Sequence, residues 1–425
     1  MLARHEGLVV LVAGAIPGER VRVRIERVER SLAFGFVEEV VDPHPARRPV
    51  TVDPRCGGAV YTHITYDEQC RLKSDVIRDA LMRLGGMPAT AAIPIAPSPE
   101  RGYRMRARLH LRGERVGFFL EGTHQVCDAA MTGQLLPAAT RAVQVVAESL
   151  AAAGLRGGAD LDLSENRAGD ERAVHVELSP EAAIASPGAL GEIAGVTGLA
   201  WSKARTSREQ RVYGRSFVED TIHTVRLRRH ARAFFQGNRF LLDELVNAVM
   251  EACLPGNVVD LYAGVGLFGV CLAASGRHRV IAVEEHAASA ADLRANAEPF
   301  GEAIRVEETS VERFVAAAVP AGPLTLVLDP PRTGMTREAS DGAIALGPSR
   351  VVFVSCDVAT FARDVRKFAD AGYRLESVRG FDLFPTTAHV EALAVLTRDN
   401  SLPFRQSGVR RNPVVYRSGP RHPPG

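Results

Sequence analysis

Apolar and polar residues alternate with a period of two through the first 45 residues. Val21, Val23 and Ile25 fall on one side of a strand and Arg22, Arg24 and Glu26 on the other, the pattern of a half-buried strand. Turn signals at Pro17-Gly18 and near Gly35 separate short strands and predict a small β-barrel over residues 1–47. From about Asp67 to Leu84 the period is helical, ending at Gly85-Gly86, and a Pro-rich linker follows from Pro88 to Pro99. The region 48–232, with that helix and linker at its start, mixes strands with Ala-rich helical stretches such as Ala138 to Ala153. It reads as a mixed α+β central domain whose fold periodicity does not resolve. From Phe234 the pattern becomes regular: helix 238–253, strand VVDLYA, helix 267–275, strand RVIAVE, helix 286–298. It continues with strand LTLVLD, helix 336–346, strand RVVFVSC, helix 357–370 and a hairpin from Tyr373 to Thr397. Such alternation over 233–398 predicts an α/β, Rossmann-like, doubly wound parallel sheet. Residues 399–425 are rich in Pro, Gly and Arg, with Asp399 their only acid, and predict a flexible basic tail.

Composition narrows the class. Of 425 residues 46% are apolar and 24% charged, which suits globular domains with sizeable cores. No segment approaches the roughly 20 uninterrupted apolar residues of a membrane span, since the best candidate, Val315 to Leu328, is broken by Pro320, Gly322 and Pro323. The N-terminus lacks the apolar core and cleavage site of a secretory signal, so a cytoplasmic protein without membrane partners is expected. Six cysteines without a C-x-x-C pair argue against a disulfide scaffold or a zinc site, and most are expected to be reduced thiols. The net charge of +2 conceals two arginine clusters. One holds Arg101, Arg104, Arg106, Arg108, Arg112 and Arg115; the other holds Arg226, Arg228, Arg229 and Arg232. Such clusters bind phosphates or are solvated strand faces, and composition alone favours the second.

The strand VVDLYA runs into Gly264-Val265-Gly266-Leu267-Phe268-Gly269, a G-x-G-x-x-G where missing side chains let a ligand reach the backbone. The bland alternative is a tight helix–sheet contact. Glu284 ends the next strand, where a carboxylate can accept hydrogen bonds from both ribose hydroxyls. The pair points to an adenosine-containing ligand without separating NAD from S-adenosylmethionine. Asp329-Pro330-Pro331-Arg332 closes the LTLVLD strand at the edge where open α/β sheets bind ligands, and together with the terminal hairpin favours S-adenosylmethionine.

Cys356 closes the strand RVVFVSC just before a helix. A helix N-terminus and the nearby Arg332 are expected to lower its thiol pKa. A thiolate suits one demanding reaction: methylating carbon 5 of uracil requires prior addition at carbon 6 to make carbon 5 nucleophilic. A base must then remove the carbon-5 proton, and Glu391 in HVEALAVL is the candidate, with His389 beside it as alternative or helper. An isolated cysteine is ordinarily a small buried hydrophobe and a lone glutamate ordinarily solvated. Here Gly264, Glu284, Asp329, Cys356 and Glu391 all fall at predicted carboxyl ends of strands or in the following loops, where one pocket must form.

The ordered segments FFQGN, DLYAGVG, VEE, DPPRTG, VSCDVATFARD and FPTTAHVE resemble those of the RNA 5-methyluridine methyltransferases across 234–397. GAIPGERVRV and AFGFVEEVVDP resemble a TRAM domain, an OB-like barrel found on several RNA-modifying enzymes, and Gly102 to Arg108 with Val116-Gly117-Phe118 is similar to the family's RNA-facing domain. The resemblance implies S-adenosylmethionine held by Gln236, Tyr262, Glu284 and Asp329, Cys356 as nucleophile, Glu391 as proton acceptor, and RNA as partner. Because the barrel is usual in the ribosomal branch, 23S-type ribosomal RNA is the expected substrate. Transfer RNA, or a non-catalytic RNA-binding assembly factor on the same fold, are the alternatives. Many members hold a four-iron cluster on four cysteines. Here the segment reads Cys56-Gly57-Gly58-Ala59, with Val50 and Thr132 near other expected positions, so no iron–sulfur cluster and no other metal is expected. Leu267 and Ser310 replace residues that the family uses near its cofactor.

Overall fold

The computed structural model describes residues 1–50, 52–88, 91–204, 209–317 and 323–399. Apart from Asp399, the tail expected over 399–425 lies outside them.

Eight strands form the sheet of the C-terminal region, called the catalytic sheet after the activity expected of it. Their order is Ile304–Glu308, His278–Glu284, Gly256–Leu261, Leu324–Leu328, Arg350–Ser355, Glu391–Arg398, Tyr373–Phe381, Ile95–Ala96. The five strands from Ile304–Glu308 to Arg350–Ser355 run parallel, and Glu391–Arg398 enters antiparallel to both its neighbours. The chain crosses from one half of the sheet to the other between Gly256–Leu261 and Leu324–Leu328, so a crevice opens at their carboxyl ends. Central strands buried on both faces need continuous apolar runs, and LTLVL is buried at every position. Helices cover both faces. Val358–Asp370 starts at Asp357, whose side chain accepts a hydrogen bond from Thr360 N, and buries a stripe of Phe361, Ala362, Val365 and Phe368.

The predicted helices and strands of this region fall within a few residues of the observed ones, with two omissions: the six-residue helix Val311–Ala316, and Ile304–Glu308, an edge strand whose apolar signal is only Ile304 and Val306 among charged neighbours. Ile95–Ala96, inside the Pro-rich stretch, pairs in parallel with Gly380 and Phe381 at the far edge of the sheet.

Residues 106–214 contribute a seven-stranded sheet covered on one face by the helix Pro137–Ala152. At the N-terminus, four strands order as Leu2–His5, Leu8–Ala13, Leu32–Asp42, Arg20–Glu29. Three register shifts between the last two bend the sheet. They also break the expected alternation: Ile25 is exposed although Val21 and Val23 are packed inward. No described helix is long and apolar enough to cross a membrane.

Four of the six cysteines are free thiols, in line with the expectation that most would be, while Cys56 and Cys127 form a disulfide that was not foreseen from the sequence. The cause is local pairing: Gly57 N donates to Phe119 O and Glu121 N to Arg55 O, which lays the segment beside the hairpin that carries Cys127. The arginine clusters divide between ion-paired and cavity-facing members, and the paired ones are structural. Arg229 is buried against Asp220, Arg228 pairs with Asp292, Arg226 with Glu219, and Arg108 with Asp160, Asp162 and Glu177.

Candidate active site

The carboxyl ends of four strands and the loop 382–390 enclose a cavity of about 640 Å³. Every site residue predicted from sequence lines it: Gln236, Tyr262, Gly264, Glu284, Asp329, Cys356 and Glu391. His389 is not among the lining residues; its ring packs edge-on against Phe384, which is. Ser310 caps the helix Val311–Ala316 instead of facing the cavity.

The three glycines of the G-x-G-x-x-G divide the two roles that the sequence left open. A Cβ on Gly264 would meet nothing closer than 3.9 Å, so this position leaves room for a ligand. Gly266 and Gly269 serve packing, since a Cβ on the first would strike Val270 and Leu293 and on the second the Asp260 carboxyl. Tyr262 sits just before the turn with φ of 65°, a left-handed conformation that costs a non-glycine residue of order 1 kcal/mol or more and marks a constrained position.

Glu284 is fixed by backbone donors. Its Oε2 accepts from Gly264 N at 2.9 Å and its Oε1 from His286 N at 2.7 Å. Each carboxylate oxygen retains a second acceptor direction, the chemistry that a ribose diol requires. Burial pushes its pKa upward, opposed by those two backbone bonds. Deeper in the wall, burial pushes Asp329 up to about 7, opposed by the bond from Gln236 Nε2 to its Oδ2 at 3.1 Å. Asp260, not singled out from the sequence, is fully buried behind the turn. Burial first, then Asp329, pushes it to about 8; Gly269 N donates to its Oδ2, while its Oδ1 has no partner among the described residues. Glu284, with acceptor directions free for a ribose diol, and Asp329 on the adjoining wall both line the cavity beside the open backbone of Gly264, so the residues present fit S-adenosylmethionine.

Cys356 corrects the electrostatic expectation. Its thiol pKa is raised to about 11: burial is the largest cause and Glu391 adds to it, against the lowering effect of Arg332. A helix start is worth typically about 0.3–1 kcal/mol to a charge, too little to offset burial here. Glu391, 1% exposed and with Oε1 lacking a partner among the described residues, is held well above the ordinary carboxylate range by burial and then by Asp329, again opposed by Arg332. Burial thus disfavours the charged form of both thiol and acid, and Arg332 is the cation that favours ionisation of each.

The central domain closes the same cavity with Tyr103, Arg104 and Arg106, and Arg232 joins from the connection to the catalytic sheet. Arg104 donates to Gln134 Oε1 at 2.7 Å and Arg106 to Ala233 O at 2.9 Å, both neutral acceptors. Their charge is therefore available at the cavity, unlike that of the arginines paired elsewhere. Phe234, exposed at the rim beneath Arg106, adds an aromatic face. His286 and Ser289 also line the cavity and were missed; their only signal was proximity to Glu284.

Residues 203–399 match the family model described as tRNA (Uracil-5-)-methyltransferase. An RNA methyltransferase of Thermosynechococcus vestitus, itself uncharacterised, is 31% identical over 93% of this chain and 94% of its own length. Another from Streptomyces avermitilis is 31% identical over 92% of this chain and 93% of its own length. Among solved structures, the Pyrococcus abyssi tRNA (uracil-54, C5)-methyltransferase in complex with S-adenosyl-L-homocysteine superposes with a TM-score of 0.71 at 25% identity, covering 92% of this chain and 96% of that one.

Proposed function

We propose, for a chain that belongs to the S-adenosylmethionine-dependent RNA 5-methyluridine methyltransferase family, that Cys356 attacks carbon 6 of a uridine in ribosomal RNA and that Glu391 later takes the carbon-5 proton. The observation that carries this reading is the convergence of Cys356, Glu391, Asp329 and Glu284 on one cavity from separate strand ends. Cys356, once ionised, donates its electron pair to carbon 6, and the ring electrons move toward carbon 5 and the carbon-4 oxygen. Gln236, Tyr262, Gly264, Glu284 and Asp329 would hold S-adenosylmethionine, which would supply an electrophilic methyl group to carbon 5 and depart as S-adenosylhomocysteine with the electrons of the broken S–C bond. Glu391 then accepts the carbon-5 proton, the double bond re-forms and Cys356 leaves as the thiolate. Arg332 favours the anionic forms that both residues need.

RNA containing 5-fluorouridine blocks the final step, because carbon 5 then carries no proton to remove. The protein is expected to form a denaturant-stable complex with such RNA, and Cys356→Ala to form none. An adduct that persists in Cys356→Ala would overturn the assignment.

Ribosomal RNA is supported by the N-terminal sheet, which stands where the TRAM-like barrel of the ribosomal branch would. A second reading, transfer RNA, is favoured by the Pyrococcus neighbour, which is named for that substrate. Mapping 5-methyluridine by mass spectrometry in total RNA from a deletion strain separates them: loss of one ribosomal position supports the first, loss confined to transfer RNA the second.

A further inference from the structure

The helix Tyr66–Arg83 precedes the catalytic sheet's main run of strands, yet two of its buried side chains bond to the loop 382–390. Lys73, 1% exposed, donates from Nζ to Asp382 Oδ1 at 2.5 Å and to Phe384 O at 3.0 Å. Gln69, fully buried one turn earlier on the same helix face, accepts from Thr386 N at 2.9 Å and donates to Ile64 O at 2.9 Å. Thr386 has φ of 62°, a left-handed conformation unfavourable for a β-branched residue, so external bonds must hold it. Its Oγ1 also donates to Gly58 O, and Asn238 donates to Leu383 O from the opposite side. Leu383 and Phe384 of this loop line the cavity, and Glu391 begins the strand that follows. The same helix packs against Val358–Asp370, the helix that starts just after Cys356.

We propose that Lys73 and Gln69 are positioning residues for the proton-removal step: they hold the 382–390 loop in the conformation that presents the Glu391 carboxyl beside Cys356. This rests on the reading of Glu391 as the acceptor of the carbon-5 proton. A buried lysine–aspartate pair contributes little net stability compared with apolar packing of the same volume. What it supplies is direction, since Lys73 binds a side chain and a main-chain carbonyl of the loop at once. Residues that only filled space would not need to donate to Phe384 O.

The test uses total RNA from a deletion strain, methyl-labelled S-adenosylmethionine and denaturing gels. Wild-type protein is expected to release labelled RNA. Glu391→Gln is expected to stop at a labelled protein–RNA complex, because the methylated adduct has no base to resolve it. Lys73→Met is expected to accumulate that same complex, with turnover reduced about tenfold or more and first-turnover label incorporation within about threefold of wild type. Lys73→Met combined with Asp382→Asn leaves no unpaired buried charge and is expected to behave alike, so a folding defect of the single variant does not decide the result. Accumulation in Glu391→Gln but in neither Lys73 variant overturns the positioning role alone. Accumulation in none of them overturns the role of Glu391 and this proposal with it.

Discussion

Gln236 and Asp329 meet across the cavity wall at 3.1 Å, and this bond is what opposes the upward push of burial on the Asp329 carboxyl. Removing the donor in Gln236→Leu raises the Asp329 pKa beyond about 7, so that at neutral pH the group is mostly protonated and a poorer acceptor. Affinity for S-adenosylmethionine, measured by calorimetry, is expected to fall about tenfold at pH 7 and to recover in part at pH 9. A loss that does not change with pH would separate Gln236 from Asp329.

Arg332 lowers the pKa of both Cys356 and Glu391. With the thiol near 11, the reactive thiolate is a minor species at neutral pH and its population grows as pH rises. Adduct formation with 5-fluorouridine RNA is therefore expected to accelerate between pH 7 and 9. In Arg332→Gln the same rise should be displaced to higher pH, with the rate at pH 7.5 down about tenfold. Identical pH profiles for the two proteins would contradict this role.

Asp260 links the crevice to stability. Its folded pKa, about 8, is raised above an unfolded value of roughly 3.9. A raised carboxyl contributes stability that is fully present below the unfolded pKa and lost as pH climbs through the folded one, here between about pH 4 and 8. Asp260→Asn keeps an oxygen for the Gly269 N–H and removes the titration. Its melting temperature is expected to match the parent near pH 4.5 and to exceed it by a few degrees at pH 8. Scanning calorimetry across that range decides the point, and a variant less stable at pH 8 would refute it.

Arg104 and Arg106 carry charge on the cavity with neutral hydrogen-bond acceptors as partners. Each phosphate contact made by RNA contributes a slope of roughly −0.7 to −0.9 in log affinity against log salt. Arg104→Gln and Arg106→Gln should each make that slope shallower by about one unit in filter-binding titrations. Arg226→Gln, whose partner is Glu219 on the neighbouring strand, should leave it unchanged.

The catalytic sheet was legible because its signals are local. Runs such as RVVFVS and stripes such as Phe361, Val365 and Phe368 state their own period, and the site residues sit at strand ends that the period locates. Three features were not legible because they depend on distant chain. The central sheet pairs Arg172–Leu178 in parallel with Gly198–Lys203 and antiparallel with Ala159–Glu165, an order that no local period encodes. Cys56 finds Cys127 across 71 residues. The Cys356 thiol rises instead of falling because burial, a property of the assembled crevice, outweighs the helix start visible in sequence. Asp260 had an unused local signal, as the acid in DLYAG on the strand that feeds the glycine turn.

The short strand Ile95–Ala96 gives the molecule a particular mechanics. The chain leaves the catalytic sheet at this edge, builds the Arg-bearing sheet, and re-enters near Phe235. The central domain is thus tethered at both ends, like a bridge on two piers, and a single-bond pivot cannot swing it away. The face that carries Tyr103, Arg104 and Arg106 is therefore held over the cavity from two directions at once.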